Sequence, residues 1–99
     1  MEVEFIDADC DRLEVDGNFS AGLPGAVVSA YRKKLQFIRG AHDERDLYNW
    51  RGLNFEALKG DRSHQHSIRL NKQWRLIIEM KGKGVDKVIR IAGIENHYE

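Results

Sequence analysis

The chain has 99 residues, 41% of them hydrophobic and 32% charged, with 16 Lys/Arg balanced by 16 Asp/Glu. That length fits one hydrophobic core, since domains run from about 50 to 200 residues, and the expected unit is a single domain over 1–99. Membrane spans and internal disulfides are excluded, because no apolar run approaches the ~20 residues a spanning helix needs and Cys10 has no second cysteine to pair with.

The opening Met1-Glu2-Val3-Glu4-Phe5 lacks the basic start and apolar stretch of a secretion signal. With the lone cysteine this leads to the expectation of a reducing cytoplasm and no membrane partner. Zero net charge hides an asymmetry. Residues 1–50 carry six Lys/Arg against ten Asp/Glu, a balance of −4, whereas residues 51–99 carry the reverse, +4. A neutral protein lacks the global field that drives unspecific nucleic-acid binding, so any RNA affinity has to come from a local basic patch or a larger complex.

In chain order, Val3 and Phe5 alternate with Glu2 and Glu4, which predicts a short strand with one buried face. Asp7 to Val15 reads as a short helix anchored by Leu13 and broken by Asp16-Gly17-Asn18. Pro24 is expected at the first helical position of the next element, where its missing N–H is not needed. Val27, Val28, Tyr31, Leu35 and Ile38 then form one apolar stripe, with Arg32, Lys33 and Lys34 facing away and Gly40 as the stop. His42 to Trp50 reads as a second short helix with Asp43, Glu44 and Asp46 near its start and Leu47 and Trp50 as its apolar contacts.

From Leu53 the texture changes. His64–Leu70, Trp74–Met80 and Val85–Ala92 are three runs separated by Asn71-Lys72-Gln73 and Lys81-Gly82-Lys83-Gly84, the pattern of an antiparallel meander. If Leu70 meets Trp74 across the first loop, Ile68 meets Leu76 on the buried face and Arg69 stands opposite Arg75 on the other. Such a like-charged pair is destabilising unless an anion or an acidic partner segment sits between the two. Arg90, between Ile89 and Ile91, is expected on that face too.

The chemistry-bearing stretch is Leu58-Lys59-Gly60-Asp61-Arg62, followed by Trp74-Arg75 and the tail Glu95-Asn96-His97-Tyr98. Cations, polar groups at a turn and a closing His/Tyr form the inventory needed to hold a phosphate and move protons around it. His64-Gln65-His66 has no cysteine nearby, so neither a metal nor a cofactor is expected. At least one of these histidines is expected to be a partly buried structural residue beside Ile68 and Leu70. Trp50 and Trp74 are expected to pack in the core.

These residues resemble the HigB branch of the RelE/ParE toxin superfamily of bacterial toxin-antitoxin systems. The resemblance rests on Gly22-Leu23-Pro24, Asp46-Leu47, Leu58-Lys59-Gly60-Asp61-Arg62, Ser67-Ile68-Arg69, Trp74-Arg75 and the acidic-aromatic-histidine end. It implies an α+β, RelE-like fold, with two N-terminal helices packed on a small, mostly antiparallel sheet. It also implies a ribosome-dependent, metal-independent endoribonuclease acting on messenger RNA. A cognate HigA-like antitoxin would cover the basic face or buttress the sheet, and would connect the toxin to operator DNA.

By the same resemblance Lys59 and Arg75 contact the scissile phosphate, and Arg62, Arg69, Arg90, His64 and His66 are further RNA-binding candidates. Attack by a ribose 2′-hydroxyl requires a proton acceptor, a proton donor for the leaving 5′-oxygen, and fixed cations for the charge that builds on the phosphate. Arg75 is the first candidate for the cation because its planar fork grips two oxygens, with Lys59 second. His97 is the first candidate for proton transfer. Glu56, His64 and His66 are its possible partners, and Tyr98 stacks on a base or donates a hydrogen bond. Two departures from the family pattern affect these proton-transfer roles. The usual Glu-Asp-Tyr-His end reads Glu95-Asn96-His97-Tyr98, and Glu56 stands where a histidine is common. The alternatives are a ParE-like toxin that inhibits DNA gyrase by contact, and an inactive relic that binds its antitoxin alone.

Overall fold

A computed structural model describes residues 1–82 and 86–96. Its elements run β1 (Glu2–Phe5), α1 (Ala8–Val15), α2 (Gly25–Gly40), α3 (Glu44–Asn49), β2 (Glu56–Ala57), β3 (Gln65–Arg69), β4 (Trp74–Lys81) and β5 (Val88–Asn96). The five strands form one sheet in the order β1-β5-β4-β3-β2. Among the described residues only the β1–β5 pairing is parallel; β2 through β5 pair antiparallel, the β3–β4–β5 part as the meander pattern predicts. The architecture is thus α+β, with helices on one face of a mixed sheet.

The α2 stripe is buried as its spacing requires, with Val27, Val28, Tyr31, Leu35 and Ile38 each at most 5% exposed. These residues pack with Leu13 of α1 and Leu47 of α3 against Ile68, Leu76, Ile78, Ile89 and Ile91 of the sheet. Two polar ties fix the helices. The Tyr31 hydroxyl donates to the Cys10 carbonyl at 2.7 Å, joining α2 to α1, and the Asp7 carboxylate caps α1 by accepting from the Asp9 amide at 2.8 Å. The Cys10 thiol is buried, and desolvation, with Asp7 adding to it, pushes its pKa up to about 12. It is therefore a packing residue rather than a reactive thiol.

Several elements differ in detail from their sequence patterns. Pro24 stands one residue before α2, in an extended conformation, and its carbonyl receives the Val27 and Val28 amides. Arg32 does not face solvent: its guanidinium clasps the Leu13, Asp16 and Phe19 carbonyls, closing the α1–α2 loop. Trp50 is not a core residue but stays 39% exposed, its ring 4.3 Å from Phe37 and 4.5 Å from the Lys34 ammonium. The two-residue strand β2 has too few residues to show a period. β5 runs past Ala92 to Asn96, because a bulge lets the strand continue pairing: Ile77 aligns with Gly93 and Ile78 with Ile91. Val85, the expected start of this strand, lies outside the described residues.

Candidate functional site

The hairpin β3–β4 has the register that parity predicts. Ile68 pairs with Leu76 and Arg69 with Arg75, and the Leu70 amide donates to the Trp74 carbonyl at 3.0 Å. Asn71 shapes the loop, its side-chain oxygen accepting from the Gln73 and Trp74 amides at 2.9 Å each. Paired residues project to the same side of a sheet, so the strand registers define two faces. One carries Val3, Phe5, His66, Ile68, Leu76, Ile78, Ile89 and Ile91 and lies under the helices. The other is covered by no helix among the described residues.

On this open face, beyond the outer row of Lys81, Val88 and Glu2, three rows run across the strands. The first is Gln65, Glu79, Arg90 and Glu4; the second is Glu56, Ser67, Ile77 and Gly93; the third is Arg69, Arg75 and Glu95. The first row is a polar ladder. Gln65 donates to Glu79 at 3.0 Å, and Arg90 lies 3.5 Å from Glu4 and 4.0 Å from Glu79. His64, exposed in the loop before β3, stands 3.8 Å from Glu79.

The third row holds the like-charged pair, and the carbonyl of Asn71 stands between its members. It accepts from Arg69 Nε at 3.3 Å and from Arg75 Nη1 at 2.8 Å. A neutral carbonyl steers both guanidinium groups without discharging them. Among the described residues neither Arg69, Arg75 nor Lys59 has a carboxylate within 4.0 Å. On and beside this face they are cations available to an external anion.

Lys59 owes its place to Gly60. At φ +65° Gly60 adopts a left-handed conformation that side chains disfavour, and it opens the 3₁₀ turn Gly60–Arg62 that Lys59 precedes. The turn returns the chain to β3, with the Leu58 amide bonded to the Gln65 carbonyl at 2.9 Å. From it Arg62 reaches over the open face. Its Nε donates to Gln65 Oε1 at 2.9 Å, and its two terminal nitrogens grip the Glu95 carboxylate at 3.0 and 2.6 Å. Hydrogen bonding to Glu95 raises the Arg62 pKa still further.

Since Gln65 is in the first row and Glu95 in the third, the Arg62 guanidinium lies over the second. Ile77 is 3% exposed, yet it does not belong to the core cluster beneath the helices, and its partner Ser67 is 8% exposed. Ile77 is buried on the open side, in the row that Arg62 spans between Gln65 and Glu95.

The structure thus gathers Arg62, Arg69, Arg75 and Glu56 on one face, with Lys59 at the turn beside it. Arg90 shares the face but stands in the first row between carboxylates. His66 is on the other side: its ring stacks on Phe55 at 4.7 Å, and its Nε2 is 3.5 Å from the Tyr48 hydroxyl. Burial, reinforced by Lys87, lowers the His66 pKa. This is the structural histidine foreseen from its neighbours Ile68 and Leu70. His97 and Tyr98 lie outside the described residues. Sequence reading assigned no role to Glu95, Gln65, Glu79 or Asn71. Their parity is legible, but the β5 bulge that sets Glu95 opposite Arg75 is not.

The model of HigB-like toxins, described as the RelE-like toxin of type II toxin-antitoxin system HigB, matches residues 3–92. The chain belongs to the HigB-like toxin family. It is 34% identical over 79 residues to Toxin HigB-1 of Vibrio cholerae serotype O1, covering 80% of this chain and 83% of that relative. The YoeB/ParE toxin from Agrobacterium tumefaciens superposes with a TM-score of 0.65 at 19% identity, over 99% of this chain and 100% of that one, which places the fold among RelE-like α+β toxins. As a type II HigB-like toxin it has an antitoxin partner. Among the described residues no helix is long and apolar enough to cross a membrane.

Proposed function

We propose that this HigB-like toxin is a ribosome-dependent endoribonuclease that cuts messenger RNA by attack of a ribose 2′-hydroxyl on the adjacent phosphate. The observation that supports it is the Arg69–Arg75 pair, aimed together by one carbonyl on a face that no helix covers. Arg75 takes two phosphate oxygens in its fork and meets the charge that develops as the 2′-oxygen bonds to phosphorus. Arg69 and Lys59 add charge on either side, and Arg62, His64 and Arg90 extend the contact to neighbouring phosphates.

The proton from the 2′-hydroxyl goes to a base, for which Glu56 and His97 are the candidates. The leaving 5′-oxygen takes a proton from the imidazole of His97 in its charged form. Tyr98 stacks on a base or hydrogen-bonds the reacting group. The set of fixed cations performs the electrostatic work without calling on a metal. The working complex comprises the toxin, the ribosome and its message in the cytoplasm. A HigA-like antitoxin restrains the toxin by covering the open face or bracing the sheet, and carries the complex to operator DNA.

Incubation with translating ribosomes, followed by mapping of new RNA 5′ ends, tests the reading. The expected result is cuts at a fixed position within codons, lost in Arg75→Ala. Intact messages together with inhibited DNA supercoiling would replace this reading with gyrase inhibition.

A further inference from the structure

The bridge between Arg62 and Glu95 has a geometry that reaches beyond surface charge pairing. Two parallel N–H···O bonds, at 3.0 and 2.6 Å, hold the carboxylate in the bidentate mode by which arginine also holds a phosphate. Glu95 stands directly across the strand pair from Arg75, which in turn faces Arg69. The carboxylate therefore belongs to the same row as the two arginines that lack a carboxylate partner among the described residues. The row that Arg62 spans between Gln65 and Glu95 holds Ile77 and Ser67, an apolar and a small polar side chain, both buried.

We propose that Glu95 is an internal stand-in for the RNA phosphate: it holds Arg62 across the middle of the open face while no RNA is bound, and yields Arg62 when a phosphodiester arrives. The proposal rests on the nuclease reading above and names the positioning residue of that site. Opening the bridge delivers a third guanidinium to the substrate and uncovers Ile77 as a floor for a sugar or base. Both partners are about half exposed, with side-chain exposures of 44% and 49%, and pairs of that kind separate at little cost. Gln65 keeps Arg62 tethered through Nε, so the released guanidinium stays over the face.

The test is binding of a fluorescently labelled 2′-deoxy oligonucleotide, which has no nucleophile and cannot be cut, measured by anisotropy from 50 to 200 mM salt. Glu95→Gln is expected to bind about two- to fivefold more tightly than the parent, the factor equivalent to one exposed ion pair. Its log–log salt slope should steepen by about 0.7, the share of one additional cation on a single strand. Arg62→Ala/Glu95→Gln should lose both the gain and the steeper slope. A Glu95→Gln variant that binds no better than the parent, or a gain that persists without Arg62, would overturn the proposal. If the gain behaves as expected while no variant cuts RNA on ribosomes, the latch stands and the nuclease reading falls.

Discussion

The two faces of the sheet are built from the same strands and obey opposite rules. Beneath the helices, Ile68, Leu76, Ile78, Ile89 and Ile91 are all 0% exposed, and the cluster is closed by apolar side chains from three helices. On the open side the alternate positions of those strands hold Glu79, Arg90 and Glu95, which take part in hydrogen bonds and ion pairs, and Arg69 and Arg75, which share the Asn71 carbonyl. One face is fixed by volume, where a missing methylene leaves a void. The other is fixed by charge, where partners exchange at small cost. Stability is concentrated in the first and adaptable chemistry in the second.

The largest stability effect is expected from the covered face. Ile78→Ala removes a fully buried side chain from the central strand β4, and the lost transfer energy and residual cavity should cost about 2–5 kcal/mol, read from urea unfolding. A smaller loss would mean that the helices close over the void and that the covered face is less rigidly packed than described. Tyr31→Phe is next, because it removes the hydroxyl's bond to the Cys10 carbonyl that ties α2 to α1; about 0.5–1.5 kcal/mol should be lost, measured in the same way.

The open face should respond differently. Arg75→Ala is expected to change unfolding free energy by no more than about 0.5 kcal/mol while abolishing growth inhibition on expression. A large loss of stability would erase the contrast between the faces. Smallest is the pH effect of His66. Its lowered folded pKa means that the unfolded chain binds the proton more readily, so the contribution of the neutral ring is complete above the ordinary value of about 6.5. That contribution is lost as pH falls through this value toward the folded pKa. Melting curves between pH 7.5 and 5.5 should show the decline in the parent and a flatter profile in His66→Phe.

How much of this was legible in the sequence follows the same division. Apolar spacing locates α2 and its buried stripe, and the three-residue Asn71-Lys72-Gln73 loop with parity places Arg69 opposite Arg75. Periodicity reports burial, and these features are burial. Glu95 is legible as part of the acidic tail, but its place opposite Arg75 is not, because that place is set by a bulge, which shifts register by one residue and leaves no trace in composition. Arg32 was misjudged for a related reason. Its position on the polar flank of α2 is correct, but the long side chain bends to three carbonyls that only the folded loop presents. The arginine pair on the open face was visible as a pattern, whereas the Asn71 carbonyl that aims it was not.

The most direct measurement follows the arginine side-chain Nε–Hε signals by NMR while an uncleavable 2′-deoxy oligonucleotide is added. The account predicts progressive shifts at Arg69, Arg75 and Arg62, with Arg12, Arg32 and Arg39 of the helical layer unmoved. Shifts centred on the helical arginines, with the open face silent, would contradict it.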